Sequence, residues 1–345
     1  MSPYPFGVLA VYTYLMTNCA FLFAASAALL VLTSCAALPH QPNETYVLVS
    51  ANRNNSYWQA AAAGLSHAAH EMNVKSEFVG PDTYDPKAEK DEFVAAVHRK
   101  PSGIMVSAAD AELLTPEIDS AIQQGIPVIT IDSDAPASKR LFFVGTDNYY
   151  AGTLGGNRLV KLLGDHGNVV MLTYPNQLNL SQRKDGYESV LSSHPGIKVT
   201  QTVDIKGDPT VAFDTAKQML DSKMKVDAFV CLVAVACPEI GEIVNRANMG
   251  GKIAIIAMDT DPRTLEWIQK GLISATIGQR PYTMAYFGAN RLDDLHHYPL
   301  ASMTENFSHQ LYSPLPAFVD TGTFVVDKEN VSRYIQENQA HAPTQ

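Results

Sequence analysis

The sequence predicts an α/β fold made of two similar halves, each a doubly wound parallel sheet with helices on both faces. Short apolar runs alternate with segments of about ten to fifteen residues that have helical spacing, which is typical of βαβ units. The alternation begins again near residue 148, and no low-complexity linker separates the halves. The 345 residues allow about two domains of ordinary size.

Each predicted element follows from a local pattern, and several have recognisable ends. Asp85 is a predicted N-cap because Pro86 suits the first helical position, and Gly125 is a natural glycine after a last helical turn. In the first half we predict strands at 46–50, 74–79, 103–107, 128–131 and 142–144, and helices at 56–72, 86–99 and 112–124.

The second half repeats this arrangement. We predict helices at 148–163, 181–193, 209–222, 238–248, 262–270 and 281–295, and strands at 168–173, 197–202, 227–232, 252–258 and 273–277. The glycines between Gly152 and Gly156 lie inside a predicted helix, which favours close helix packing over a phosphate-binding loop. Residues 329–345 are predicted to be a polar, frayed tail.

The amino-terminal sequence predicts that the protein is located outside the cytoplasm. Residues 20–31 are almost all apolar and too few for a lasting membrane span, and Leu32-Thr33-Ser34-Cys35 follows, which resembles the lipobox of bacterial lipoproteins. We therefore predict a signal peptide at 1–34, lipidation of Cys35, and a tether at 35–44. An ordinary secretory signal with a coincidental Cys is the alternative. The segment departs from usual signal peptides in that no Lys or Arg precedes Arg53, and Met16, a possible second start, does not supply that charge.

Composition excludes some functions and leaves one question open. The formal net charge is −10 and no Lys/Arg cluster occurs, which argues against nucleic acid as a partner. Beyond Cys19 and Cys35, the cysteines are Cys231 and Cys237. These two either form a disulfide in an oxidising compartment or are two small buried residues.

Polar residues follow the ends of several predicted strands. Asp132 follows Ile129-Thr130-Ile131, Asp259 follows Ile255-Ile256-Ala257-Met258, and Gln279 follows the strand at 273–277. Ligands of parallel sheets bind outside the carboxyl ends of the strands, so these residues are candidates for a ligand site. The simpler interpretation of a strand-end Asp is an N-cap of the next helix.

Five stretches together resemble a known family; they are 125–132, 144–152, 183–187, 257–262 and 279–285. In order and spacing they resemble the periplasmic sugar-binding proteins of the ribose/galactose-binding type, which share their fold with the ligand-binding part of the lactose repressor. The resemblance implies a type I periplasmic binding protein, with two lobes joined by a three-crossing hinge. It places the N-terminal lobe at 45–147 plus 281–318, and the C-terminal lobe at 148–280 plus 319–328.

The resemblance also implies a ligand set suited to the hydroxyls and apolar faces of a sugar: Asp132, Arg183, Asp259, Gln279, Asn55, Trp58, Tyr57 and Asp110. Carboxylates accept from hydroxyls, Arg183 offers a planar fork of donors from a loop before a helix, and we expect it to pair with Asp259. The simpler interpretations are a surface ion pair for Arg183 and core aromatics for Tyr57 and Trp58. Asn148 is expected to order the hinge.

Two departures from the family limit which sugar is implied. Ser133 stands where ribose binders carry an arginine, so ribose itself is not implied. The segment at 233–238 is apolar and longer where the family has a polar pair. One ligand contact is therefore missing there, or is replaced by backbone groups or apolar packing.

Other chemistries are weaker. His67 with His70, and His296-His297 after Asp293-Asp294, offer too few ligands for a metal, so we expect solvated helix faces and neither a metal nor a cofactor. Asp132 with Asp259 is a poor glycosidase pair, so we expect no enzyme. The sequence predicts a monomeric, lipid-anchored binding protein that delivers a sugar-like molecule to an ABC permease. A module for a membrane sensor or chemoreceptor is the alternative, and a transcription regulator would need a basic DNA-binding segment before residue 45.

Overall fold

The computed structural model describes residues 40–174, 176–305, 307 and 310–340. The chain divides after Gln41, and the fold lies in the unit Pro42–Gln345. The predicted signal peptide and the lipidation site Cys35 lie outside the described residues. Within the part of the chain that is described, none of the helices combines the length and the apolar character that crossing a membrane requires.

The first sheet forms the core of the N-terminal lobe. Its six strands have the order β11-β5-β4-β3-β1-β2, and every neighbouring pair is parallel. The strands are β1 (Thr45–Val49), β2 (Lys75–Val79), β3 (Gly103–Val106), β4 (Val128–Ile131), β5 (Phe143–Gly145) and β11 (Phe318–Asp320), and the helices are α1 (Ser56–Met72), α2 (Pro86–His98), α3 (Ala111–Gln123) and α9 (Pro281–His297). Helices α1 and α9 pack together on one face of this sheet, and α2 packs with α3.

The second sheet forms the C-terminal lobe with equivalent topology. Its order is β12-β10-β9-β8-β6-β7, in which only β12 is antiparallel to its neighbour. The strands are β6 (Gly167–Thr173), β7 (Ile197–Asp204), β8 (Ala228–Cys231), β9 (Ala254–Met258), β10 (Ala275–Gly278) and β12 (Phe324–Asp327), and the helices are α4 (Asn148–Leu163), α5 (Leu178–Leu191), α6 (Pro209–Asp221), α7 (Cys237–Arg246), α8 (Pro262–Gln269) and α10 (Val331–Ala340). Strand β4 of the first sheet therefore corresponds to β9 of the second.

The chain passes between the two sheets three times: between β5 and α4, between β10 and α9, and between β11 and β12. This agrees with the three crossings that the resemblance implied. The predicted boundary between residues 318 and 319 is wrong, because it cuts through β11. That strand pairs along its whole length with β5, and the third crossing therefore follows Asp320.

Most predicted elements are confirmed to within a few residues, including the N-cap Asp85 and the positive φ of Gly125. Two predictions are wrong. Residues 329–345 were expected to be frayed, but Val331–Ala340 is a helix whose Val331 is buried in the second core. The helix predicted at 181–193 begins three residues earlier, at Leu178, after an extended Gln177, and Arg183 lies inside α5 and not in the loop before a helix that was expected for it.

The glycines of α4 position α5, as their helical placement predicted. A Cβ on Gly152 would lie 2.0 Å from the carbonyl oxygen of Arg183, and a Cβ on Gly155 would lie 2.0 Å from the Tyr187 hydroxyl. The two helices approach this closely because α4 carries no side chains at these points. This contact holds the backbone of Arg183 in place.

Candidate functional site

Two aspartates occupy equivalent positions at the carboxyl ends of β4 and β9. Asp132 has φ +64° and Asp259 has φ +66°, so both lie in the left-handed region that few residue types adopt. The Asp132 N–H donates to Val144 O of the neighbouring strand at 3.0 Å, and the Asp259 N–H donates to Ile277 O at 2.8 Å. The sharp turn after each strand directs both carboxyl groups into the space between the lobes.

The carboxylate of Asp132 is surrounded by donors. It accepts from the Tyr57 hydroxyl at 2.7 Å, from Asn179 Nδ2 at 3.1 Å and from Ser107 Oγ at 3.4 Å. Burial raises the pKa of Asp132, and these hydrogen bonds together with the charge of Arg183 oppose that rise. Asn179 belongs to the other lobe, so Asp132 is also a contact between the lobes.

The carboxylate of Asp259 has fewer protein partners. It accepts from Gln279 Nε2 at 2.9 Å, while Thr276 Oγ1 donates to the main-chain oxygen of Asp259 at 2.6 Å. Burial raises the pKa of Asp259 to about 7, against the opposing effects of Arg183 and Gln279. This carboxyl group therefore changes its protonation state near neutral pH.

Arg183 is buried and is held by the second lobe and the hinge. Its Nη1 donates to the Leu232 carbonyl, and its Nη2 donates to Asn148 Oδ1 at 2.6 Å. The expected hydrogen-bonded pair of Arg183 with Asp259 is therefore wrong, because the guanidinium is directed to these two oxygens. Asn148 also donates to Thr146 O at 3.0 Å, in the first crossing, which agrees with the hinge role expected for it.

Aromatic rings form one wall of the site. Tyr57 and Trp58 begin α1 and meet edge to face, with ring centroids 5.2 Å apart. Asn55 caps this helix by accepting from the Tyr57 N–H at 3.0 Å. The cap fixes the start of the helix and therefore the position of both rings in its first turn. The rings offer the apolar surface that the C–H face of a sugar prefers.

These residues line one cavity of about 60 Å³ between the lobes. Seven of the eight predicted ligand residues reach it, and the full lining comprises Ala51, Asn52, Asn55, Tyr57, Trp58, Tyr84, Ser107, Asp132, Tyr174, Gln177, Asn179, Leu180, Arg183, Val233, Ala234, Asp259 and Gln279. The cavity wall is divided between the two lobes, as expected of a site that opens and closes about a hinge.

Asp110, the eighth predicted ligand residue, is not among the residues that line this cavity. It is the N-cap of α3, where its Oδ1 accepts from the N–H groups of Glu112 at 3.0 Å and Leu113 at 3.1 Å. Two backbone donors that a helix start leaves without partners thus take up this carboxylate.

Several buried polar atoms of the cavity have no hydrogen-bond partner among the described residues. They include Asn179 Oδ1, Arg183 Nε and Gln279 Oε1. A buried polar atom without a partner costs about 1–3 kcal/mol, and it is usually satisfied by a ligand or water where protein groups do not reach. The cavity thus presents both acceptors and a donor to a polar occupant.

The apolar segment after β8 also reaches the cavity. Val233 and Ala234 line it, and a short 3-10 turn at Ala234–Ala236 leads into α7. The preceding residue contributes Leu232 O to Arg183, so the backbone next to this segment positions a polar side chain of the cavity. Cys231 and Cys237 are buried free thiols here, so the small-buried-residue interpretation describes them.

The structure brings to the cavity residues that the sequence did not single out, chiefly Asn179, Gln177, Tyr84 and Tyr174. Tyr84 of the first lobe stacks on Tyr174 of the second, with centroids 4.5 Å apart. Ser56 Oγ donates to Asp261 Oδ2 at 2.8 Å, again between lobes. Asn179 lies two residues before the helix predicted at 181–193, whereas in the structure it lies in the first turn of α5 and is buried. A correct prediction of the helix start was the signal that could have found it.

Comparison with known proteins agrees with this geometry. The family described as "Periplasmic binding protein domain" matches residues 46–296. The chain is 24% identical over 329 residues to the xylose/arabinose-binding protein XylF of Sulfolobus acidocaldarius, covering 89% of this chain and 78% of that one.

Solved structures are similar as well. The sugar-binding protein of a sugar ABC transporter from Bacillus halodurans has a TM-score of 0.74 at 33% identity, covering 84% of this chain and all of that one. AraP, an arabinose-binding protein from Geobacillus stearothermophilus, has a TM-score of 0.69 at 32% identity, covering 85% and 99%. The chain belongs to the periplasmic binding protein family.

Proposed function

We propose that this protein captures a sugar, with arabinose and xylose as the first candidates, and delivers it to an ABC-type importer. The observation that carries the proposal is the set of buried polar atoms without a hydrogen-bond partner among the described residues on Asn179, Arg183 and Gln279, which are residues that line one cavity with Asp259. The named pentoses come from the relatives XylF and AraP.

The chemistry of the cavity suits a ring of hydroxyl groups. Asp259 and Asp132 accept hydrogen bonds from hydroxyls, Arg183 Nε donates a hydrogen bond to a hydroxyl oxygen, and an amide such as Gln279 can do both. Trp58 supplies an apolar surface for the opposite face of the ring. A ligand that formed hydrogen bonds with all of these atoms would replace the water molecules that bind them when the site is open.

Closure about the hinge explains how capture becomes a signal for transport. The lobes meet through Asn179 on Asp132, Ser56 on Asp261 and Tyr84 on Tyr174. A sugar that contacts Asp132 from one lobe and Asp259 from the other favours the closed arrangement, since it binds both halves only there. The permease would then recognise the closed pair of lobes.

Thermal unfolding in the presence of sugars tests the proposal. At 100 times the dissociation constant a specific sugar adds about 2.7 kcal/mol of stability, which raises Tm by roughly 5 °C or more. We expect arabinose or xylose to give this shift, and an Asp259→Ala variant to lose it. If pentoses and hexoses at millimolar concentration all leave Tm unchanged, sugar capture is wrong.

Analysis of the sugars after incubation with the protein separates binding from catalysis. A binding protein returns the sugar unchanged, so chromatography of arabinose, xylose and their glycosides after long incubation should show no product. Formation of product would support a glycoside-processing enzyme instead. The relatives' names describe binding proteins, which agrees with the first outcome.

The lipid anchor and the monomeric state belong to the same proposal. Lipidation at Cys35 would hold the protein on the outer side of the cytoplasmic membrane, beside its permease. Metabolic labelling with a radioactive fatty acid should mark the wild type and not a Cys35→Ser variant. Light scattering of the purified protein should give the mass of one chain; a larger mass would contradict the monomer.

A further inference from the structure

A second cluster of ligand-type side chains lies at the opposite end of the first lobe. His297 Nε2 is 3.1 Å from both carboxylate oxygens of Glu44 and 3.9 Å from Asp293 Oδ1. The three side chains are only 8–9% exposed. The solvated helix face expected for the sequence pair His296-His297 is therefore wrong for His297, although His67 and His70 are exposed.

The local fold brings the three residues together. Asp293 and His297 are four apart in α9 and so share one face of the helix. Glu44 directly precedes β1, on which α9 packs, and the Tyr46 hydroxyl of that strand donates to Asp293 Oδ1 at 2.9 Å. This hydrogen bond orients the carboxylate, as hydrogen-bond partners of metal-binding side chains do.

The cluster is separate from the sugar cavity. Glu44 lies at the amino end of β1, whereas Ala51, which lines the cavity, follows the carboxyl end of that strand. At about 3.3 Å per residue, the intervening chain spans about 20 Å. A ligand bound in this cluster would therefore not contact a sugar in the cleft.

We propose that Glu44, Asp293 and His297 bind a zinc ion. Candidate ligand atoms of these side chains all lie within 4.8 Å of one another. Zinc takes imidazole nitrogen and carboxylate oxygen at about 2.0–2.2 Å in a tetrahedron, whose ligands are then ~3.3 Å apart. The observed 3.1 and 3.9 Å lie on either side of this value, so small side-chain rotations complete the geometry.

Charge and ligand type favour zinc over other ions. Two buried carboxylates lie beside the buried imidazole of His297, with the more exposed His296 at 3.9 Å from Glu44, and buried carboxylates favour a divalent cation as their partner. Calcium and magnesium prefer six or more oxygen ligands, which three side chains with an imidazole do not provide. Zinc needs only one more ligand, and a water molecule can supply it.

Titration with zinc chloride of the protein freed of metal by chelation and dialysis tests the site. Isothermal calorimetry should show one zinc bound per chain, and zinc should raise Tm. His297→Ala and Glu44→Gln should each weaken binding by more than about 10-fold. The matched control is His70→Ala, which removes an exposed histidine of α1 and should leave zinc affinity unchanged.

The outcomes are distinct. Absence of saturable zinc binding, or equal affinity in wild type and His297→Ala, would mean that the cluster is only a network of hydrogen bonds. Loss of zinc binding in His70→Ala would place the ion on α1 and would also overturn the proposal. Asp293→Asn keeps an oxygen acceptor for Tyr46, so its unfolding curve without zinc shows whether a loss of binding reflects misfolding.

Discussion

The aspartates that end β4 and β9 have the same backbone conformation but different surroundings. Both have φ near +65° and both donate their N–H to the next strand of their sheet. Asp132 accepts from Tyr57, Ser107 and Asn179, whereas the Asp259 carboxylate accepts from Gln279. The difference indicates that Asp132 holds protein groups in place, while Asp259 retains more acceptor capacity for a ligand.

The largest expected effect is a dependence of stability on pH that comes from Asp259. The pKa of Asp259 in the folded protein is about 7, above its ordinary value of 3.8. The folded state therefore binds its proton more tightly than the unfolded chain does. The resulting stability is fully present below about pH 3.8 and is lost as pH rises through 7, a change of roughly 4 kcal/mol.

Urea unfolding without ligand, from pH 4 to 8, measures this change. The free energy of unfolding of Asp259→Asn relative to wild type should increase with pH across that range, because the variant has no proton to lose. Asp132 and Glu89 also have raised pKa values, and they are common to both proteins. A difference that does not vary with pH would contradict the burial argument for Asp259.

The next effect separates affinity from stability. Asp259→Ala should weaken binding of the cognate sugar by about 100-fold or more, since hydrogen bonds to a charged group contribute about 1.5–3 kcal/mol each. Asp132→Ala should weaken binding less than Asp259→Ala does, and should lower the free energy of unfolding by about 2 kcal/mol, because it leaves the Tyr57 hydroxyl and Asn179 Nδ2 buried without their acceptor. Calorimetry and urea unfolding of both variants measure the two quantities. Equal effects of the two variants on both would remove the distinction.

A smaller effect is expected for the contact between lobes. Asn179→Ala removes the donor that links α5 to Asp132, together with an amide oxygen that faces the cavity. We expect a loss of affinity of about 10-fold, with a change in unfolding free energy near 1 kcal/mol. Asn179→Asp is the informative partner, because it keeps the size and places a second carboxylate against Asp132. If that variant binds sugar as tightly as wild type, the donor is not needed for closure.

The smallest effect concerns Asp110. Asp110→Ala should cost about 1 kcal/mol of stability through the lost N-cap, and sugar affinity should stay the same. Asp110→Ser should restore most of the stability, because serine also caps helices. A loss of affinity in both variants would return Asp110 to the ligand set.

The strand ends could be predicted from sequence because apolar runs followed by a polar residue are local patterns. Asp132, Asp259 and Gln279 were found in this way, and the resemblance added Arg183. Asn179 could not be found, since its role depends on where α5 begins and on a partner 47 residues away in the other lobe. Sequence alone could not separate the two roles of Asp110, because capping and ligand binding use the same residue type at the same kind of position, and the structure shows the cap. The cluster around His297 was missed because its third member, Glu44, is 253 residues away.

The positive φ of Asp132 and Asp259 has a consequence for attempts to change which sugar is bound. Gly, Asn and Asp adopt that conformation most readily, while it costs other residue types roughly 1–2 kcal/mol and is least suited to β-branched ones. A mutagenesis library that varies these two positions would therefore contain many destabilised proteins. Positions 233 and 234 line the same cavity with apolar side chains and lie outside the left-handed region, so a library aimed at them should yield more folded proteins with altered ligand preference.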